Sequence, residues 1–213
     1  MKKIFSIAVL AAAVTAQAGA QETTKLQLEP GTELSISGTS TVHGFTCKTS
    51  RIDATLVVDR GYTKDLTKVA RPIVSVRVEI PAKSLDCGNG KMNDNMYGTL
   101  KAKDNPTITY VMSGYDLENA TATGFAAKTE GVLTIAGKGK TISMEVKADR
   151  VEDSKATAKG EQSILLTDFG IKPPSFMFGT LKVGNEIKIK FNLKAGPAMI
   201  AQIAAAVSDV ETQ

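Results

Sequence analysis

Few residues in this chain could carry out chemistry. Among 213 residues there is one histidine, His43, two cysteines, Cys47 and Cys87, and no tryptophan. His43 and Cys47 share the Gly- and Thr-rich, hairpin-like stretch Ser37-Gly-Thr-Ser-Thr-Val-His-Gly-Phe-Thr-Cys47. One histidine cannot make a two-histidine metal site. A Ser-His-Asp arrangement would have to be built on it, yet there is no Gly-x-Ser-x-Gly elbow, and no acidic pair stands in a recognisable catalytic context. His43 is expected to be a packed or hydrogen-bonded structural residue, or a contact to a ligand headgroup, and the protein is not expected to be an enzyme.

Two stretches mimic nucleotide chemistry. Gly137-Lys-Gly-Lys-Thr141 looks like the end of a phosphate loop, but position 134 is Thr where that loop needs Gly, and the segment joins two strand patterns, so it reads as a hairpin turn. Asp168-Phe-Gly170 matches the metal-binding tripeptide of protein kinases without a Gly-rich loop or a His-Arg-Asp loop to accompany it. The structural reading ends a strand at Leu166, drops Phe169 into the core and turns at Gly170.

The apolar clusters are the better candidates. Phe169 is followed by a Pro-bounded loop crowded with Phe176, Met177 and Phe178, and Met92, Met96, Tyr97 and Leu100 recur at helical spacing. Either group caps a core or rims the mouth of an apolar cavity, where flexible thioethers suit a long, variable chain. With Phe45 and His43, these residues are the candidate ligand contacts.

The elements that must position them are strands. Apolar residues alternate through Ile52, Ala54, Leu56 and Val58, through Val74, Val76, Val78 and Ile80, and through Ile108, Tyr110 and Met112. The pattern returns at Val132, Leu133 and Ile135, at Ile142, Met144 and Val146, at Ile164 and Leu166, and at Ile187, Ile189, Phe191 and Leu193. At least seven half-buried strands separated by turn signals predict an antiparallel barrel or a sandwich. One short helix is expected around residues 91–101, packing across one end, before Asn105-Pro106 forces extended chain. Residues 196–213 carry a weakly amphipathic helical pattern, with three roles open: docking on the outside of the barrel, mediating association such as a homodimer, or fraying.

Lys2 and Lys3, an apolar run over 4–16 and the small-residue patterns Ala16-Gln-Ala18 and Ala18-Gly-Ala20 read as a secretory signal peptide covering 1–20. The mature protein is expected in the periplasm or outside the cell, with no cysteine placed for a lipid anchor. The apolar stretch 198–207 is about half the length of a membrane span. Removing 1–20 lowers the formal charge from +4 to +2, because two lysines and no acids are lost. That charge is small and dispersed, which argues against a nucleic-acid partner. Two cysteines in an exported chain are expected to form one disulfide, Cys47–Cys87; zinc ligation would need a second ligand pair.

In order and motif the chain resembles the YceI-like family of secreted proteins. Gly38-Thr-Ser-Thr-Val-His43 opens the domain, Ser84-Leu85 precedes the Met-rich turn, and Pro106-Thr-Ile-Thr-Tyr110 follows it. Gly131-Val-Leu-Thr-Ile-Ala-Gly137 and Thr167-Asp-Phe-Gly-Ile171 complete the series, with Thr167 where Arg is frequent. The resemblance implies an all-β, eight-stranded antiparallel lipocalin-like barrel over 21–195, followed by a helical tail over 196–213. It also implies a binding or carrier role for an isoprenoid-like lipid, a polyprenyl chain, quinone or related amphiphile, with no other cofactor. The alternative is a filled barrel acting as a structural or interaction module without lipid.

Overall fold

The computed structural model of the protein describes residues 23–59, 67, 71–152 and 155–197. The proposed signal peptide and almost all of the expected C-terminal helix lie outside the described residues. Of that tail, Gly196 and Pro197 are extended and belong to the last strand, which Ala195–Pro197 pair with the first.

Eleven extended segments follow one another: β1 (Thr23–Leu28), β2 (Glu33–Ser40), β3 (Gly44–Thr49), β4 (Asp53–Asp59), β5 (Ile73–Pro81), β6 (Thr107–Ala120), β7 (Gly124–Ile135), β8 (Lys138–Glu152), β9 (Lys155–Leu165), β10 (Ser175–Phe176) and β11 (Leu181–Pro197). Among the described residues one α-helix, α1 (Gly90–Thr99), separates β5 from β6. They build a closed eight-stranded antiparallel barrel. Two of the eight wall positions are broken strands. β1 and β2 run in the same direction along one edge of β11, and β3 and β4 run back along β2 and β1. The first break, at Pro30-Gly31, is stitched to β11 by Thr32: its hydroxyl donates to the Lys194 carbonyl (3.3 Å) and accepts the Lys194 N–H (3.0 Å). Gly31 there has φ +88°, a conformation that glycine adopts without a Cβ clash.

Beyond the second break the wall changes character. The free edge of β3 meets no full strand. It exchanges two 2.8 Å backbone hydrogen bonds between Lys48 and Asp86, and the adjacent Cys47–Cys87 disulfide crosses the same joint. The chain then enters α1, which Asn89 caps by accepting the Met92 N–H (3.1 Å). Asn93 holds this entry from inside the helix, accepting the Cys87 N–H (2.8 Å) and donating to the Asp86 carboxylate (2.9 Å). Both hydrogen bonds on Asp86, from Asn93 and then from the Gly88 N–H, hold its carboxyl below the usual carboxylate value.

Most of the expected alternation is observed. On β8, Ile142, Met144 and Val146 face inward while Ser143, Glu145 and Lys147 face solvent. Apolar inside and charged outside is the reverse of a membrane-spanning barrel. The expectation that Val74 points inward is corrected: β5 carries an extra residue there opposite Val57 and Val58, so Val74 turns out to solvent and Ile73 takes the inner position. A second bulge at Ser113 has the same effect on β6, so the inner series Ile108, Tyr110, Met112 resumes at Tyr115.

Both nucleotide-like motifs are structural, and they touch. Ala136 (φ +50°) and Gly137 (φ +79°) form the two-residue turn between β7 and β8, as a primed hairpin turn requires. Asp168 forms an ion pair with Lys140 on β8. Thr167 donates its N–H to the Asn185 side chain (3.1 Å), Phe169 is buried, and Gly170 turns at φ +66°.

Candidate functional site: an apolar lumen

Residues facing into a packed core lose nearly all accessible surface, but many inward-facing residues here do not. Ile36, Val78, Met112, Met144, Val146 and Ile189 are only half-buried although they point away from solvent, because the barrel is hollow between them. The cavity has a volume of about 600 Å³, within the range of small-molecule sites. It extends from Leu26, Val58 and Phe125 at one end to α1 and the β2–β3 turn at the other. Leu85, Ile135 and Leu166 are buried where they line it, with Ala102, Phe169 and Ile171 packed behind them, and Leu26, Val58 and Ala195 form a second buried cluster at the other end.

Three glycines keep the lumen open. A Cβ on Gly38 would lie 2.7 Å from the Phe45 ring, on Gly131 2.6 Å from Tyr110, and on Gly160 2.4 Å from Phe191. In each case an aromatic ring of the neighbouring strand lies against bare backbone. The rings line the wall instead of crossing the bore.

The polar groups inside are already engaged with the wall. Thr129, buried, donates to the Met144 carbonyl (3.1 Å) and accepts from the Tyr110 hydroxyl (3.4 Å), and Gln162 donates to the Ser163 carbonyl (2.8 Å). Burial pushes the Tyr110 phenol above its ordinary pKa against the pull of that Thr129 bond. Tyr115 is raised chiefly by burial as well, opposed by its bond from the Ile73 N–H and by Arg71, whose guanidinium lies 5.3 Å from the ring centroid. What the wall offers is mostly methyl, methylene, thioether and ring, a surface that selects for apolar length more than for pattern.

The sequence candidates divide by position. Phe45, Met92, Met96, Leu100, Phe176 and His43 line the cavity, as do Cys47 and Cys87. Tyr97 packs on the core beside it, its hydroxyl within reach of the Lys83 (3.0 Å) and Leu85 (2.8 Å) carbonyls, which anchors α1. Phe169 is corrected from ligand contact to core: it packs behind the residues that line the lumen. Phe178 is corrected too, since its side chain projects wholly into solvent and touches no cavity wall. The side chain of Met177 lies outside the described residues. His43 is exposed at the rim, and its Nδ1–H donates to the Gly44 carbonyl (2.8 Å). Among the described residues no three His, Cys, Asp or Glu side chains converge as a metal site would require. Sequence reasoning missed Tyr110, Thr129, Gln162 and the three glycines as determinants of the lumen. Their phase in the alternation was available as a signal; their cross-strand neighbours were not.

A closed eight-stranded antiparallel barrel around an apolar lumen defines a lipocalin-like fold. The model of the YceI-like domain matches residues 20–195, and the chain belongs to that family. Among solved structures, Burkholderia cenocepacia BcnA is similar at 24% identity and TM-score 0.61, over 76% of this chain and 95% of that one. A polyisoprenoid-binding domain from Saccharophagus degradans, implicated in plant cell wall breakdown, aligns at 10% identity and TM-score 0.60 over 83% and 100%. The Campylobacter jejuni YCEI protein aligns at 19% identity and TM-score 0.55 over 70% and 83%. At these identities the likeness is one of fold. No curated protein sequence matches the chain.

Proposed function

We propose that this protein is exported to the periplasm and there binds or carries an isoprenoid-like lipid, a polyprenyl chain, quinone or related amphiphile, without transforming it. The observation that carries this reading is the continuous apolar lumen of about 600 Å³. Each methylene moved from water into such a space contributes roughly 0.8 kcal/mol before the cost of association. The polyisoprenoid-binding domain with the same fold supports the class of cargo. The polar end of the cargo belongs at the mouth beside α1, where Lys91, Asn95, Ser40 and His43 supply the hydrogen-bonding side chains. A structural module with a filled barrel has no use for half-exposed inner residues.

The test is organic extraction of protein purified from a periplasmic fraction, followed by mass spectrometry against a matched non-binding control. A polyprenyl or quinone species near one per protein is the expected result. No co-purified lipid, together with no uptake of added polyprenyl lipid, would remove the carrier reading.

A further inference from the structure

The cavity mouth has a rim made from two chain reversals that are tied together. Between β2 and β3 the turn runs through residues 41–43, and between β10 and β11 it runs through 177–180. The Thr41 N–H donates to the Lys182 carbonyl (3.0 Å), the Lys182 N–H donates to Thr41 Oγ1 (3.2 Å), and that hydroxyl donates to the Thr180 carbonyl (2.9 Å). Ser40, His43, Phe176 and Leu181, on the flanks of these reversals, line the mouth itself.

At the outer edge of this rim the usual placement of apolar residues is inverted. Val42 is 67% exposed, and Phe178 is 112% exposed, as open as in a free chain. Phe178 also holds a left-handed backbone conformation, φ +55° and ψ +30°, which a bulky residue rarely adopts. A strained, solvent-facing aromatic at the entrance of an apolar cavity gains nothing from the fold around it, so its contribution must come from outside. The charge on the same segments is of one sign. Residues 171–185 contain Lys172 and Lys182 and no acid, and 40–44 carry no acid either.

We propose that this rim is a membrane-docking surface for an anionic bilayer. Phe178 and Val42 enter the boundary between headgroups and acyl chains, Lys172 and Lys182 lie at the level of the anionic headgroups, and the mouth opens against the bilayer. An apolar anchor flanked by cations is how a protein attaches reversibly to such a surface without spanning it. The proposal gives the carrier reading a loading route, but its geometry does not depend on which lipid is carried.

The chain has no tryptophan, so Phe178→Trp introduces a single environment-sensitive fluorophore at the rim. Val151→Trp places the same reporter at an exposed position on the far end of β8. With vesicles of phosphatidylglycerol and phosphatidylethanolamine, the expected result is a blue shift at 178 and none at 151, diminished on phosphatidylcholine vesicles. No shift at 178, or an equal shift at both positions, would overturn the proposal. Phe178→Asp should weaken vesicle co-sedimentation by about tenfold or more while leaving extractable lipid per protein unchanged. Undiminished co-sedimentation would overturn it, and so would a dimer in sedimentation velocity that Phe178→Asp dissolves without any vesicle binding, which would make the rim a contact between copies. Lipid extraction on the same preparations separates the two readings: cargo without vesicle binding removes docking alone, and vesicle binding without cargo removes the carrier reading alone.

Discussion

A methyl group at Gly160 would lie 2.4 Å from the Phe191 ring and 2.8 Å from the Glu145 carbonyl oxygen. The ring can swing only into the bore, and the carbonyl belongs to a hydrogen-bonded strand. Gly160→Ala is therefore expected to destabilise the barrel by about 1–3 kcal/mol, the usual range for forced overpacking, and to lower the amount of lipid extracted per protein. Urea denaturation and the extraction assay read the two effects separately. Stability and cargo both unchanged would mean that the ring does not keep the bore open. At this scale the sequence was legible where residue type alone decides. Two cysteines in a chain read as exported predicted the Cys47–Cys87 bond, and Met92, Met96 and Phe45 were recognisable as lining candidates. It was not legible where the answer depends on which residue lies across the strand: nothing in Gly160 or Phe191 taken singly announces the other, and Phe178 resembled its neighbour Phe176 until the turn at 177–179 sent it outward.

The elements most exposed to perturbation are β3, the joint at Asp86 and α1. The disulfide closes a span of 40 residues, for which the chain-entropy model gives about 4 kcal/mol. Replacing both cysteines by serine, or reducing the protein, should lower its unfolding free energy by up to that amount, measured by chemical denaturation. A loss near zero would mean that the Lys48–Asp86 bridge and α1 hold the joint unaided. Asp86 adds a dependence on acid. Its folded pKa lies below the unfolded one, so its contribution is fully present above the ordinary carboxylate range near 3.9 and is lost as pH falls through the lower folded value. Asp86→Asn should lower stability near neutral pH, where the charged carboxylate contributes, and flatten the acid limb of a thermal-stability profile so that variant and parent converge at low pH. An acid limb identical to that of the parent would exclude Asp86 as its source. The Met-rich helical spacing made α1 readable in advance, as the hairpin-like stretch 37–47 did the turn into β3. The bulges at Val74 and Ser113 were not, because one extra residue in a strand shifts the inward phase without changing the composition that signals a strand.

For the molecule as a whole, a hollow barrel is less stable empty than loaded, because the surfaces that would pack in a solid core are left facing a void. Stripping lipid should lower the melting temperature, and adding a polyprenyl lipid back should restore it in a concentration-dependent way, by about 2.7 kcal/mol at a hundredfold excess over the dissociation constant. Calorimetry on stripped and reloaded protein checks this, and identical melting curves would mean that nothing of consequence occupies the bore. Many short strands and little helix left a barrel and a sandwich open, and the family resemblance implied both the barrel and its lipid-holding interior; alternation alone could supply neither, because it marks which side is apolar and is silent on how far apart opposite walls stand. The joint between β3 and Asp86 has a further meaning at this scale. Around most of the circumference, neighbouring strands are locked by long ladders that resist spreading, whereas here the hoop is closed by one pair of hydrogen bonds and one covalent link. Mechanically, this is the narrowest seam of the hoop, and the covalent link is the element that would bear any outward load there.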